Sequence, residues 1–96
     1  MKYKNSVSLG EAIELMIDEL KLRPKLNESR IREKWGQLMG APITRYTRQI
    51  NLSSGKLYIK VESAALKQEL SYSRDKIKDL FNKELGENAI RDVVIF

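Results

Sequence analysis

At Ala41-Pro42 the apolar residues stop recurring at helical intervals and begin to alternate with polar ones, a change of period that divides the chain into a helical half and a strand-bearing half. Beyond it, Tyr46, Ile50 and Leu52 alternate with Arg45, Thr47, Gln49 and Asn51, and Leu57, Ile59 and Val61 alternate with Lys56, Tyr58, Lys60 and Glu62. Ser53-Ser54-Gly55 separates the two runs. With Ser54-Gly55 as a two-residue turn, Leu52 faces Leu57, Ile50 faces Ile59 and Arg48 faces Val61, which gathers the apolar side chains of both strands on one face. The pattern predicts a hairpin over about 45–62 with one buried side.

Before the hairpin, Ser8 and Glu11 have capping-box spacing, and Leu9, Ile13, Met16, Ile17 and Leu20 follow at helical intervals, predicting an amphipathic helix over about 9–22 that Pro24 stops. Asn27 reads as the N-cap of a second helix running to about Met39, with Ile31, Trp35 and Leu38 on one face, Glu28 paired with Arg32, and Gly40 ending it. Trp35 is expected in the core, and Gly36 beside it is expected to permit a close backbone approach. After the hairpin, Ser63 caps a long helix to about Leu85 with Leu66, Leu70, Ile77, Leu80 and Phe81 as its apolar stripe and Gly86 at its end. The β-branched tail from Ala89 to Phe96 reads as a strand buried on both faces.

The resulting order is helix, helix, strand, strand, helix, strand. It predicts an α+β fold with a three-stranded mixed sheet packed on helices, the last strand parallel to the second and the first strand central. A chain of 96 residues supports one core, so a single domain over 1–96 is expected, with its core over about 8–96. No stretch is long and apolar enough to span a membrane, and the N-terminus lacks the pattern of a secretory signal, which makes the cytoplasm the expected compartment.

Chemistry is constrained by what is missing. Histidine and cysteine are both absent, which removes the commonest general base, the thiolate nucleophile and the usual metal ligands. No phosphate loop, dinucleotide fingerprint or nucleophile elbow occurs. Glu11, Glu14, Asp18 and Glu19 lie opposite the apolar stripe of their helix and read as a solvated face. An enzyme is not expected, nor is a cofactor, a metal or a small-molecule substrate.

Charge points to anionic partners. Eighteen Lys and Arg against thirteen Asp and Glu give a net charge of +5. From Ala41 to Val61 there is no acid, while Arg45, Arg48, Lys56 and Lys60 are present and Tyr58 lies between the two lysines on the polar side. Two readings stand side by side: a nucleic-acid platform on which Tyr58 stacks a base, or a strand whose lysines guard against edge pairing. A second basic cluster, Lys21, Arg23 and Lys25 with Arg30, Arg32 and Lys34, surrounds the Pro24 corner, where a solvated corner is the plainer reading and an anion site the alternative.

Trp35-Gly36-x-x-x-Gly40, then Thr47, Gly55-x-Leu57-x-Ile59-x-Val61, Ser63-Ala64-Ala65-Leu66-x-Gln68-Glu69-Leu70, the run Ile77 to Asn82, Gly86 and the closing Val93-Val94-Ile95-Phe96 resemble the DciA family. The resemblance covers nearly the whole chain from about Ser8. It implies a KH-like domain that binds single-stranded or other DNA and works with the replicative DnaB-type helicase as its loader or operator in bacteria. Many relatives carry a longer polar tail thought to help engage helicase and DNA, and this sequence ends at Phe96. The Gly-x-x-Gly loop by which KH domains clamp a nucleic-acid backbone is absent, so the KH mode of binding is not implied. The expected function is that of a non-enzymatic DNA-replication accessory protein. The alternative is a protein-interaction adaptor without useful nucleic-acid affinity.

Overall fold

The computed structural model describes residues 8–20 and 22–96. Helix α1 (Leu9–Glu19) begins as its spacing requires, with the Ser8 Oγ accepting the Glu11 amide at 3.1 Å. It ends three residues earlier than expected, because the next helix starts sooner. Helix α2 (Arg23–Met39) takes Pro24 into its first turn, where the missing amide has no intrahelical partner to lose and the fixed φ suits the helix. Asn27 is therefore not an N-cap. It is buried inside α2 and its Nδ2 donates to Glu87 Oε1 at 2.7 Å.

Gly40 ends α2 at φ 91°, donating its amide to Gly36, and a short helix α3 (Ala41–Tyr46) follows, again with a proline in its first turn. Arg45 and Tyr46, expected on the first strand, lie instead in this helix. The Thr47 Oγ1 donates to the Ile43 carbonyl at 2.8 Å and accepts from Trp35 Nε1 at 3.0 Å, which ties the end of α3 to the core. A Cβ built at Gly36 would come no nearer than 3.7 Å to Thr44 Oγ1, so the close approach expected there does not occur.

Strands β1 (Thr47–Ser53) and β2 (Lys56–Val61) form the hairpin. Ser54 and Gly55 both have positive φ, 51° and 79°, the backbone of a two-residue type I′ turn. Leu52 pairs with Leu57 and Ile50 with Ile59, as parity requires. Arg48 does not face Val61: the register shifts there, Thr47 takes that place, and Arg48 is left in the bulge.

The long helix is two helices, α4 (Ala64–Tyr72) and α5 (Arg74–Leu85), broken at Ser73, where φ −109° and ψ 16° leave helical geometry. Gly86 closes α5 in the left-handed conformation. The Asn82 side chain then holds both the amide and the carbonyl of Ile90, at 2.8 and 2.9 Å, and so aims the chain into β3 (Asp92–Ile95).

β3 is parallel to β2, as expected, but the sheet order is β1-β2-β3, with β2 central rather than β1. The outer edge of β1 is already occupied. Glu28 of α2 accepts the Leu52 amide at 2.8 Å, Arg32 donates to the Ile50 carbonyl at 3.0 Å, and the two side chains pair with each other at 2.8 Å. The edge of β2 was the one left for the returning strand.

All the helices that bury apolar residues do so against one face of the sheet. Trp35 and Phe81 stack there with ring centroids 5.3 Å apart, joined by Ile31, Leu57, Ile59, Leu70, Ile77 and Val93. β3 is not buried on both faces: Val93 is buried, Val94 half-buried, and Asp92 and Phe96 exposed. No described helix is long and apolar enough to cross a membrane.

Candidate nucleic-acid interface

The alternation that buries Leu57, Ile59 and Val61 turns Lys56, Tyr58 and Lys60 to the face opposite the packed helices, the one that none of the core-forming helices among the described residues covers. β2 is the central strand, so these three side chains stand in the middle of that face rather than along an edge. Lys56 and Lys60 are exposed and Tyr58 is half-buried. Among the described residues neither lysine is within ion-pairing distance of a carboxylate.

Their neighbours follow from register. Ser53 and Asp92 flank Lys56, Asn51 and Val94 flank Tyr58, and Gln49 lies beside Lys60. Phe96 continues β3 by one residue, its amide donating to the Ile59 carbonyl at 2.9 Å and its carbonyl accepting from Val61 at 2.8 Å. Alternation from Val93 places Phe96 on the open face with Val94 and Tyr58, and it is 43% exposed. The open face therefore combines two aromatic rings and, among the described residues, two ammonium groups without ion pairs, with amides around them, Asp92 beside Lys56, and Glu62, paired with Arg48, beyond Lys60. Phe96 and Asp92 were both missed by sequence reasoning. With β1 taken as the central strand, nothing in the sequence placed the tail beside Lys56 and Tyr58.

The other candidates are differently placed. Arg45 is exposed in the last turn of α3, its carbonyl accepting from Arg48 Nη1 at 2.7 Å. Arg48 pairs through Nε with Glu62 at 2.8 Å. Arg23 is held by Glu14 and by Asp18, the latter at 2.9 Å, and these hydrogen bonds, Glu14's first, raise its guanidinium above the ordinary value. Glu87 stands 4.0 Å away on its other side. The corner at Arg23 is thus compensated by acids, whereas Lys25 is exposed and Lys21 lies outside the described residues. The corner borders an open cleft with the hairpin tip, lined by Arg23, Asn27, Ser54, Gly55, Glu87 and Asn88, and it does not join the lysine-bearing face. No group of acids among the described residues has the arrangement of a metal site.

The family model described as Dna[CI] antecedent, DciA matches residues 8–95. The chain belongs to the DciA family. Membership gives it a replication role of the DnaB helicase-loader type, within a family of accessory proteins. The resemblance seen in the sequence is confirmed at the level of the family, and the α+β order with a mixed three-stranded sheet is the one expected of this DciA-family chain. No curated protein and no solved structure matches the chain.

Proposed function

We infer that this chain acts as one KH-like unit that binds single-stranded DNA on the open face of its sheet and serves the replicative helicase in the cytoplasm without catalysing a reaction. One observation carries the reading: Tyr58 lies between two lysines free of ion pairs among the described residues, at the centre of an uncovered sheet face, with Phe96 on the neighbouring strand. A flat face of this kind suits unpaired bases, which stack on aromatic rings while their phosphates meet the ammonium groups. It lacks a projecting helix or ribbon to enter the major groove of a duplex.

The face is polar around its aromatic centre and holds no enclosed pocket, which fits an extended polymer better than a small substrate. Arg45 and Lys25 extend the positive field beyond the face. Arg48 and Arg23 reach a phosphate only by exchanging a carboxylate for it, a modest cost for exposed pairs.

The test is titration of a labelled single-stranded oligonucleotide with the whole chain across a salt series. The reading requires binding at low salt and a linear fall of log affinity with log salt. Absence of binding at low salt would leave the adaptor reading in its place.

A further inference from the structure

Asp92 is the one acid within the three strands, and it stands on the sheet face to which DNA binding is assigned above. Val93 is buried, so alternation turns Asp92 to the open side, where it is exposed. A carboxylate there repels phosphates and is unfavourable for backbone binding alone. Lys56 does not neutralise it directly: the two are register partners across β2 and β3, yet their side chains form no ion pair. Asp92 Oδ1 instead accepts the amide of Val93 at 2.9 Å. That hydrogen bond holds the carboxylate in place and, among the described residues, leaves Oδ2 with no donor.

On the other flank, Asn51 of β1 is the register partner of Tyr58. Arg32 orients its side chain, reaching past the outer edge of β1 and donating through Nη2 to Asn51 Oδ1 at 3.3 Å. The end left for a ligand is Nδ2, which only donates, as a carboxylate only accepts. Tyr58 therefore has a donor on its β1 side and an acceptor on its β3 side. Asp92 is its diagonal neighbour, roughly 7–8 Å away between backbones, an interval that a base stacked on the ring can span.

A pyrimidine carries its O2 and its 4-substituent on opposite sides of N3. With O2 accepting from Asn51, the 4-substituent turns toward β3. In cytosine that substituent is an amino group, which donates to a carboxylate. In thymine it is a carbonyl oxygen, which meets the carboxylate as a second acceptor.

We propose that Asp92 makes this face base-selective: a base stacked on Tyr58 and oriented by Asn51 is accepted at Asp92 through an exocyclic amino group, so cytosine is held in preference to thymine. Asn51 meets a carbonyl oxygen that both pyrimidines carry and does not discriminate between them. The inference rests on the sheet-face reading and adds what the lysines and rings do not supply, because phosphate contacts carry no sequence information and stacking tolerates any base.

Oligodeoxycytidylate and oligodeoxythymidylate of equal length, titrated with the whole chain at neutral pH and low salt, test this, because the two share backbone, charge and ring size. The parent should bind the cytidylate about fivefold more tightly, the factor that one net hydrogen bond contributes. Asp92→Asn should abolish or reverse that preference: the new side chain's oxygen still accepts the Val93 amide, while its amide nitrogen donates to the thymine oxygen. Asp92 is exposed and its backbone amide donates to Gly55 in either case, so the variant should keep its fold, which circular dichroism checks. Equal affinities in the parent, or a preference for the thymidylate, overturn the base selection and leave the sheet-face reading standing. A cytidylate preference that survives in Asp92→Asn overturns it too and places the selection on another residue. If neither oligomer binds at low salt, the sheet-face reading fails and the base selection falls with it.

Discussion

Glu28 Oε2 accepts the Leu52 amide at 2.8 Å, so a helix side chain closes the strand edge that a further strand would otherwise pair. With Arg32 donating to the Ile50 carbonyl, one helical pair four residues apart satisfies both a donor and an acceptor of β1. This closure directs β3 to β2 and makes β2, with its two lysines and tyrosine, the centre of the sheet.

Glu28→Ala leaves the half-buried Leu52 amide without its partner and frees Arg32 from its ion pair. It should cost about 1–3 kcal/mol of stability, read from urea denaturation, and increase self-association through the opened edge. A loss below the error of that measurement would show that the edge does not depend on Glu28.

Trp35 is 1% exposed, stacked on Phe81, with its indole N–H donated to Thr47. Trp35→Ala removes the ring and should cost about 3–5 kcal/mol, a large share of the stability of a domain this small. Trp35→Phe should cost less, because it keeps the stack and loses only the hydrogen bond and part of the volume. Thermal melts of the two variants give the order directly.

Gly36 lies inside α2 with room for a methyl group, since its nearest neighbour would be the Thr44 side chain at ordinary contact distance. Gly36→Ala should therefore raise stability by about 0.5–1 kcal/mol through helix propensity alone. A destabilised Gly36→Ala variant would mean that α3 approaches α2 more closely than described.

These elements also show what the sequence makes legible. Hairpin register near the turn follows from alternation, and Leu52 opposite Leu57 and Ile50 opposite Ile59 are read correctly from parity. The core place of Trp35 follows from its spacing with Ile31. What fails is of two kinds: the central position of β2 depends on Glu28 and Arg32, distant in sequence, which occupy the edge of β1, whereas the bulge at Arg48 and the break at Ser73 interrupt their elements without a proline, glycine or change of period to mark them. Proline caused the other errors. Pro24 reads as a stop and Pro42 as the point where strand periodicity begins, yet each occupies a first helical turn, which advances α2 and creates α3. Within the candidate site, the outward aim of Lys56, Tyr58 and Lys60 was legible from alternation, whereas Phe96 and Asp92 joined it only through the strand order.

Single-stranded DNA on the sheet face is the central claim, and fluorescence anisotropy of a labelled oligonucleotide as a function of salt tests it most directly. The double variant Lys56→Gln/Lys60→Gln should bind more weakly and lose about 1.4 from the slope of log affinity against log salt, at roughly 0.7 per phosphate contact on a single strand. Lys76→Gln/Lys83→Gln on α5 removes the same charge elsewhere and should leave the slope nearly as in the parent. Tyr58→Ala and Phe96→Ala should each weaken binding by about 1–3 kcal/mol with the slope retained, as expected of stacking rather than charge. Equal slopes for the parent and the Lys56/Lys60 variant, with affinity unchanged in Tyr58→Ala, would contradict the account and place any DNA contact away from this face.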